Sequence, residues 1–137
     1  MCYIILEVVK QNNFTGGVFL EKIVRQSLLY DFYGELLTEH QKSIYEDIVM
    51  NDLSYSEIAR LNGISRQGVY DMIKRCDKIL EGYESKLKLV EKFVNARNKI
   101  ADIQESIEVL KTKNQDEQLG SMIIDIEEKT SKILEDF

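Results

Sequence analysis

The sequence of residues 54–80 is SYSEIARLNGISRQGVYDMIKRCDKIL. Ser54 and Glu57 have the spacing of a capping box, in which each side chain satisfies a backbone donor at the start of a helix. Gly63 stands where that short helix must end, because glycine adopts the left-handed conformation at little cost. Ser65 is then placed to cap a second helix that begins at the next residue. The segment therefore predicts two helices joined by a tight turn.

The apolar pattern indicates how these two helices pack. Ile58, Ala59 and Leu61 are expected to bury one side of the first helix, and Ile64 to return into the core. The second helix is expected to bury the residues at helical spacing, which are Val69, Met72, Ile73, Cys76, Ile79 and Leu80. A small residue at 59, a glycine four positions later and an aliphatic residue at 69 are spaced as in a helix-turn-helix, whose second helix enters a DNA groove.

The side of the second helix that is not apolar is rich in groups that bind nucleic acids. Arg66 is suited to guanine, Gln67 to adenine, and Tyr70 to a phosphate or a thymine methyl. The basic residues that follow are suited to phosphates. The predicted nucleic-acid-binding residues are Ser65, Arg66, Gln67, Tyr70, Lys74, Arg75 and Lys78. Asp71 opposes this function unless it pairs with Lys74 or Arg75. The alternative is that these are ordinary solvent-exposed side chains on a scaffold.

Composition favours an all-α chain and tempers the expected affinity for DNA. The 137 residues include no proline and 31% charged residues, and the net charge is −6. Residues 93–137 hold 10 acidic and 6 basic side chains, so most of the acidity lies in the tail. The helix-turn-helix segment is nearly neutral. Because phosphate neutralisation supplies most non-specific affinity, weak or conditional DNA binding is expected.

The chain divides into three predicted parts: residues 1–20, 21–94 and 95–137. The first is an N-terminal extension, in which residues 3–9 have the composition of a short strand and residues 11–17 that of a turn. A lone strand would have no partner in a helical chain, so a disordered or loosely docked arm is the alternative. Residues 16–18 can be encoded by a ribosome-binding-site-like sequence, which raises the hypothesis that translation naturally begins at Leu20.

The second part is expected to contain two helices ahead of the helix-turn-helix. The first begins at Glu21 and has an apolar stripe of Ile23, Val24, Leu28, Leu29, Phe32, Tyr33, Leu36 and Leu37. Its aromatic residues are expected in the core rather than in a base-stacking platform. The second opens with a capping box at Thr38 and runs to about Asn51. The recognition helix is expected to continue from residue 66 to about 92, with a bend at Gly82.

The third part offers two amphipathic segments around a polar connection over residues 111–118. Ile100, Ile103, Ile107 and Leu110 recur at heptad spacing, and a second stripe runs from Leu119 to Phe137. Neither is long enough to be stable alone. They must therefore pack on each other, on the rest of the chain or on a second copy, and we favour a helical hairpin at the interface of a homodimer.

The sequence lacks the patterns of several functional classes. It has no Gly-rich phosphate loop, no zinc-ligand spacing and no second histidine to work with His40, so we expect neither an enzyme nor a metal or other cofactor. Cys76 is expected to be a buried thiol. No apolar run is long enough to span a membrane, and the first residues do not resemble a signal peptide. A cytoplasmic protein is expected.

Residues 23–94 closely resemble the YlxM family of small bacterial helix-turn-helix proteins. The resemblance rests on residues 54–75, on LYDFY at 29–33 and LLTEHQ at 36–41, and on LEGYESKL at 80–87 with EKF at 91–93. A more distant resemblance, to the fourth region of sigma factors, implies base contacts by Arg66, Gln67 and Tyr70. Gly68 and Asp71 depart from a strong promoter-binding pattern.

The YlxM resemblance implies a cytoplasmic protein of Gram-positive bacteria with a regulatory role in the signal recognition particle pathway, because the gene usually lies beside that of the particle's GTPase. Two hypotheses follow. The chain is a DNA- or RNA-binding regulator, or it is an adaptor that binds signal recognition particle components and uses the helix-turn-helix only as a scaffold.

Overall fold

The computed structural model describes the backbone of residues 17–136 and the side chains of residues 22–136. Over this range the chain is helical and has no strand, which confirms the all-α prediction. The elements are α1 (Gly17–Tyr33), a 3-10 helix (Gly34–Leu36), α2 (Glu39–Val49), α3 (Tyr55–Asn62), α4 (Arg66–Leu87), α5 (Leu89–Lys113) and α6 (Glu117–Glu135). The predicted strand over residues 3–9 and the turn up to residue 16 lie outside the described residues. α1 begins at Gly17, earlier than the predicted start at Glu21.

The predicted helix boundaries in the helix-turn-helix are confirmed by hydrogen bonds. Glu57 accepts from the backbone N–H of Ser54 at 2.8 Å and donates its own backbone N–H to the Ser54 hydroxyl at 3.3 Å. Thr38 forms an equivalent capping box at the start of α2. Gly63 ends α3 in the left-handed region, with φ of 64°. These local devices place α3 and α4 one tight turn apart.

The described chain divides after Val90 into two units, whereas the sequence predicted a boundary after residue 94. In the first unit α4 packs against α1, α2 and α3. The core contains the fully buried residues Leu29, Tyr33, Ile44, Tyr45, Ile58, Val69, Cys76 and Leu80. Tyr30 is also buried, so the two tyrosines of α1 belong to the core as predicted. The recognition helix is therefore the central element of this unit.

Polar contacts fix the rotation of α4 against α1 and α2. The carboxylate of Asp77 accepts hydrogen bonds from the Tyr45 hydroxyl at 2.7 Å and from the Gln26 amide at 2.9 Å. Arg25 binds Glu81 through two parallel hydrogen bonds, both 2.6 Å long. Because these partners come from two different helices, they specify which side of α4 faces inward.

Two leucines predicted to be buried are exposed instead. Leu61 is 72% exposed and Leu36 is 54% exposed. A helix advances about 100° per residue, so Leu61 lies about 110° around α3 from the midpoint between Ile58 and Ala59. Leu36 lies in the 3-10 helix, whose tighter winding ends the apolar stripe of α1 before that position.

The recognition helix does not follow the predicted path to residue 92. It continues through Gly82, ends at Leu87, and gives way to α5 at Leu89. Lys88 between them is left-handed, with φ of 55°, a conformation that is costly for a residue with a Cβ atom. The prediction of a single helix bent at Gly82 is therefore wrong.

Contacts from α1 explain this break. The Tyr33 hydroxyl donates to the buried carboxylate of Glu84 at 2.6 Å and accepts from the backbone N–H of Leu89 at 3.1 Å. Glu84 also accepts from the N–H of Val90 at 3.1 Å. The first backbone donors of α5 are thus satisfied by side chains of α1 and α4, which stabilises a new helix start at this point.

The second unit contains the remainder of α5 together with α6, joined by a short turn. Asp116 caps α6 by accepting from the N–H groups of Gln118 and Leu119. Lys111 of α5 forms an ion pair with Glu127 of α6, at 2.5 Å between Nζ and Oε2. The two helices therefore run antiparallel, which confirms the predicted hairpin. Along the described residues, no helix has the length and apolar character needed to cross a membrane.

Candidate nucleic-acid interface

The first turn of α4 presents the residues that the sequence singled out. The hydroxyl of Ser65 accepts the backbone N–H of Gly68 at 2.9 Å, which starts the helix at Arg66. The side chains of Arg66 and Gln67 then project from the first turn, and both residues are exposed. Neither lies beneath another described element, so the start of the recognition helix is accessible to a nucleic-acid groove.

An aromatic pair extends this surface onto the preceding helix. Tyr70 is 45% exposed, and its ring meets that of Tyr55 edge to face with centroids 6.1 Å apart. These two tyrosines line a shallow surface hollow together with Arg66 and Gln67. Sequence reasoning missed Tyr55, because a single aromatic residue after a capping serine shows no periodicity. The tight turn at residue 63 is what brings it to Tyr70.

The basic residues occupy different positions around α4. Lys74 lies one turn beyond Tyr70, with Nζ 6.0 Å from the ring centroid. Lys78 follows one turn later on the same side, because residues three and four apart share a helix face. Arg75 is rotated about 100° from Lys74. All three are exposed. The structure therefore aligns Lys74 and Lys78 with the first turn and turns Arg75 to the side.

The charge of α4 is distributed unequally between its two sides. Of its four acidic residues, Asp77 and Glu81 bind partners on α1 and α2, and Glu84 is buried. Asp71 remains exposed. We define the outward face of α4 as Gln67, Asp71, Lys74 and Lys78. The outward face is therefore basic although the whole segment is nearly neutral, because most of the carboxylates that balance the charge of its lysines and arginines point inward.

Asp71 is hydrogen-bonded to a neutral side chain rather than to a basic one. The sequence left open a pair with Lys74 or Arg75, but Asp71 accepts a hydrogen bond from the side-chain amide of Gln67, with Nε2 and Oδ1 3.0 Å apart. Both residues are exposed. The amide group suited to reading adenine is consequently engaged within the helix, and a base must compete with this carboxylate to reach it.

Comparison with known proteins places these residues within a shared domain. A model of the YlxM / p13-like helix-turn-helix family matches residues 20–122. A UPF0122 protein of Thermoanaerobacter sp. (strain X514) is 44% identical over 100 residues, covering 73% of this chain and 86% of the relative. A UPF0122 protein of Clostridium acetobutylicum is 43% identical over 108 residues, covering 79% and 93%. One from Geobacillus sp. (strain WCH70) is 42% identical over 109 residues, covering 80% and 97%.

Proposed function

Because the chain belongs to the YlxM / p13-like helix-turn-helix family, we propose that it is a nucleic-acid-binding regulatory protein, with DNA as the preferred ligand. The observation that carries this proposal is the accessible start of α4, where Arg66, Gln67 and Tyr70 surround a hollow. In helix-turn-helix proteins this part of the second helix approaches the base edges in the major groove. The proposed role is one of binding rather than catalysis.

The chemistry of the site gives each group a separate task. The guanidinium of Arg66 is suited to the two acceptors of guanine, and the amide of Gln67, once released from Asp71, is suited to adenine. Tyr70 offers an apolar ring edge for a thymine methyl or a hydroxyl for a phosphate. Lys74 and Lys78, further along the same side, are suited to the phosphate backbone. Sequence preference thus lies in the first turn and general affinity beyond it.

We further propose that the protein works in the cytoplasm, as a homodimer, within the signal recognition particle pathway. The pathway assignment is supported by the family resemblance described above. Dimerisation is supported by the hairpin, which carries apolar side chains on its surface. Two linked copies would bind two half-sites, and linkage raises the overall affinity well above that of one weakly binding domain.

Selection from a randomised duplex pool, followed by fluorescence anisotropy with the full chain, tests the nucleic-acid proposal. We expect binding that weakens steeply with salt. Arg66→Ala and Gln67→Ala should lose sequence preference, whereas Lys74→Ala should weaken binding to all sequences and reduce the salt slope by about one. Lys86→Ala is the matched control, because this exposed lysine lies in the last turn of the same helix. Absence of binding at about 10 μM in low salt would overturn the proposal.

A protein-binding adaptor is the second candidate, and one surface favours it. The hairpin has an acidic face, formed by the exposed residues Glu105, Glu108, Glu117, Glu128 and Glu135. Such a surface is suited to a basic protein partner. Capture of purified signal recognition particle components that survives Lys74→Glu but is lost in Glu128→Lys would support the adaptor. The opposite pattern would favour binding through α4.

A further inference from the structure

The C-terminal hairpin carries a second face of very different character. We define this apolar face as the exposed side chains of Ile103, Leu110, Leu119, Met122, Ile126 and Ile133. Their exposed fractions lie between 44% and 61%. Ile100 and Ile107, which continue the heptad pattern of α5, are buried instead. The apolar pattern of the tail is therefore wider than the hairpin itself needs.

Helix geometry places these six residues on one side of the hairpin. Ile103 and Leu110 are seven residues apart on α5, and Leu119, Ile126 and Ile133 have the same spacing on α6, so each set forms a row along its helix. In an antiparallel pair of helices, residues that are rotated in the same direction away from the line of contact lie on the same side of the pair. The two rows adjoin near the turn, where Leu110 and Leu119 line one apolar groove with Met122, Ile123 and Ile126.

The opposite side of the hairpin provides the contrast. It is the acidic face defined above, and Ile124 is the exposed aliphatic residue on α6 that points towards it, at 51% exposure. A solvated helical hairpin is expected to have polar residues on both sides. The segregation of aliphatic and acidic residues therefore distinguishes a surface suited to burial from a surface suited to water.

We propose that the apolar face binds the same face of a second copy of the chain, forming a four-helix arrangement around a two-fold axis. This inference rests on the homodimer in the proposed function and names its contact surface. Six half-exposed aliphatic side chains leave roughly 600 Å² per copy, which reaches the upper end of the patches that monomers expose. Two copies would together bury roughly 1,200 Å², the lower end of stable protein interfaces.

Charged side chains border the apolar face on both helices. They include Lys99 and Lys113 on α5, and Asp125, Lys129 and Asp136 on α6. Asp125 and Lys129 form an ion pair within α6, with Nζ and Oδ2 2.6 Å apart. An apolar centre with a rim of charged residues is typical of protein interfaces.

Sedimentation velocity of the full chain tests the interface with a pair of matched variants. Ile126 and Ile124 are the same residue type on the same helix, with exposed fractions of 49% and 51%, but they point to opposite faces. We expect a dimer whose dissociation constant rises at least about ten-fold in Ile126→Lys, because a charge would be buried without a partner. Ile124→Lys should leave it unchanged. Since Ile126 is half-exposed, both variants should keep the far-ultraviolet circular dichroism of the parent.

A second substitution shows whether the effect of Ile126→Lys comes from the interface or from local misfolding at that position. Leu119→Lys, at a 53% exposed position near the turn, should also raise the dissociation constant. A monomeric parent chain at about 100 μM would overturn the proposal, and so would equal weakening by Ile124→Lys and Ile126→Lys. These results are separable from the nucleic-acid proposal. A monomer that still binds DNA through Arg66 would refute only the dimer, and a dimer without DNA binding would refute only the α4 function.

Discussion

The side-chain amide of Gln67 donates a hydrogen bond to the carboxylate of Asp71, with Nε2 3.0 Å from Oδ1. The two residues lie one helical turn apart on the outward face of α4. Asp71 thereby holds the one amide in the first turn of the recognition helix, and adds a negative charge beside Lys74. Both effects oppose the approach of a nucleic acid. In the proposed function, Asp71 is a group that limits affinity rather than one that supplies it.

Replacement of Asp71 is expected to strengthen nucleic-acid binding. Asp71→Ala removes the negative charge and releases the Gln67 amide. We expect the dissociation constant for a selected duplex to fall about three- to ten-fold in low salt, and the advantage to shrink as salt screens the charge. Fluorescence anisotropy over a salt series measures both effects. Glu128→Ala, which removes the same charge from the acidic face of the hairpin, is the control; an equal gain in both variants would contradict this role.

The same helix provides a matched test of stability. Asp77→Ala removes the acceptor of the Tyr45 hydroxyl and the Gln26 amide, and is expected to lower the free energy of unfolding by about 2–3 kcal/mol. Asp71→Ala should change it by less than about 0.5 kcal/mol, because Asp71 is exposed. Urea unfolding followed by circular dichroism measures both values. Similar losses in the two variants would show that the Asp77 contacts contribute little.

Two glycines, one before α4 and one inside it, should respond to alanine in opposite directions. Gly63 has φ of 64°, a conformation that is strained for alanine, so Gly63→Ala is expected to lower the free energy of unfolding by about 1 kcal/mol. Gly82 lies inside α4, and a Cβ atom added there would meet no neighbouring side chain or helix within 4 Å, so Gly82→Ala should raise it by about 0.5–1 kcal/mol. Thermal unfolding of both variants gives the comparison. Destabilisation by Gly82→Ala would indicate that α4 needs flexibility at that residue.

The fold is expected to lose stability in alkaline solution. Burial raises the pKa of the Cys76 thiol from 9.0 to about 11. Burial and the hydrogen bond to Asp77 also raise the pKa of Tyr45 above its usual 10.0. The folded chain therefore keeps protons that the unfolded chain releases. The associated stability is fully present below about pH 9 and declines as the pH rises through 11 and beyond.

Urea midpoints measured at intervals from about pH 8 to 11 check this expectation. In Tyr45→Phe, stability should decline less steeply with pH above the usual pKa of tyrosine, because one of the buried hydroxyl groups has been removed. The quantity compared between the parent and the variant is the slope of the urea midpoint against pH, since the substitution itself also changes the stability at neutral pH. A urea midpoint that stays constant over this range would contradict the raised pKa values of Cys76 and Tyr45 in the folded chain.

Several features of the fold could be predicted because they depend on neighbouring residues. The capping box of Ser54 and Glu57, the left-handed Gly63 and the cap at Ser65 each follow from contacts within four positions. The burial of Val69 and Cys76 follows from the helical period. The exposure of Arg66 and the other proposed contact residues follows from the same period, since the apolar side of α4 fixes the side that remains outside.

Other features depend on residues that are distant in the sequence. The end of α4 at Leu87 depends on Tyr33, more than fifty positions earlier, whose hydroxyl accepts from the backbone N–H of Leu89. No local sequence pattern predicts this helix end, because Lys88 is an ordinary helix former. The pairing of Tyr55 with Tyr70 likewise requires the two helices to be folded against each other.

The sequence by itself determined the helix-turn-helix, its caps and the side of α4 that faces outward, since these are consequences of local hydrogen bonding and helical periodicity. Only the tertiary structure decided the charge of that side. Asp77 and Glu81 balance the basic residues in a count of the sequence, but they bind Tyr45, Gln26 and Arg25 on other helices. A count of charges does not tell on which side of a helix each charge lies, whereas folding turns these carboxylates away from the surface that a nucleic acid would meet.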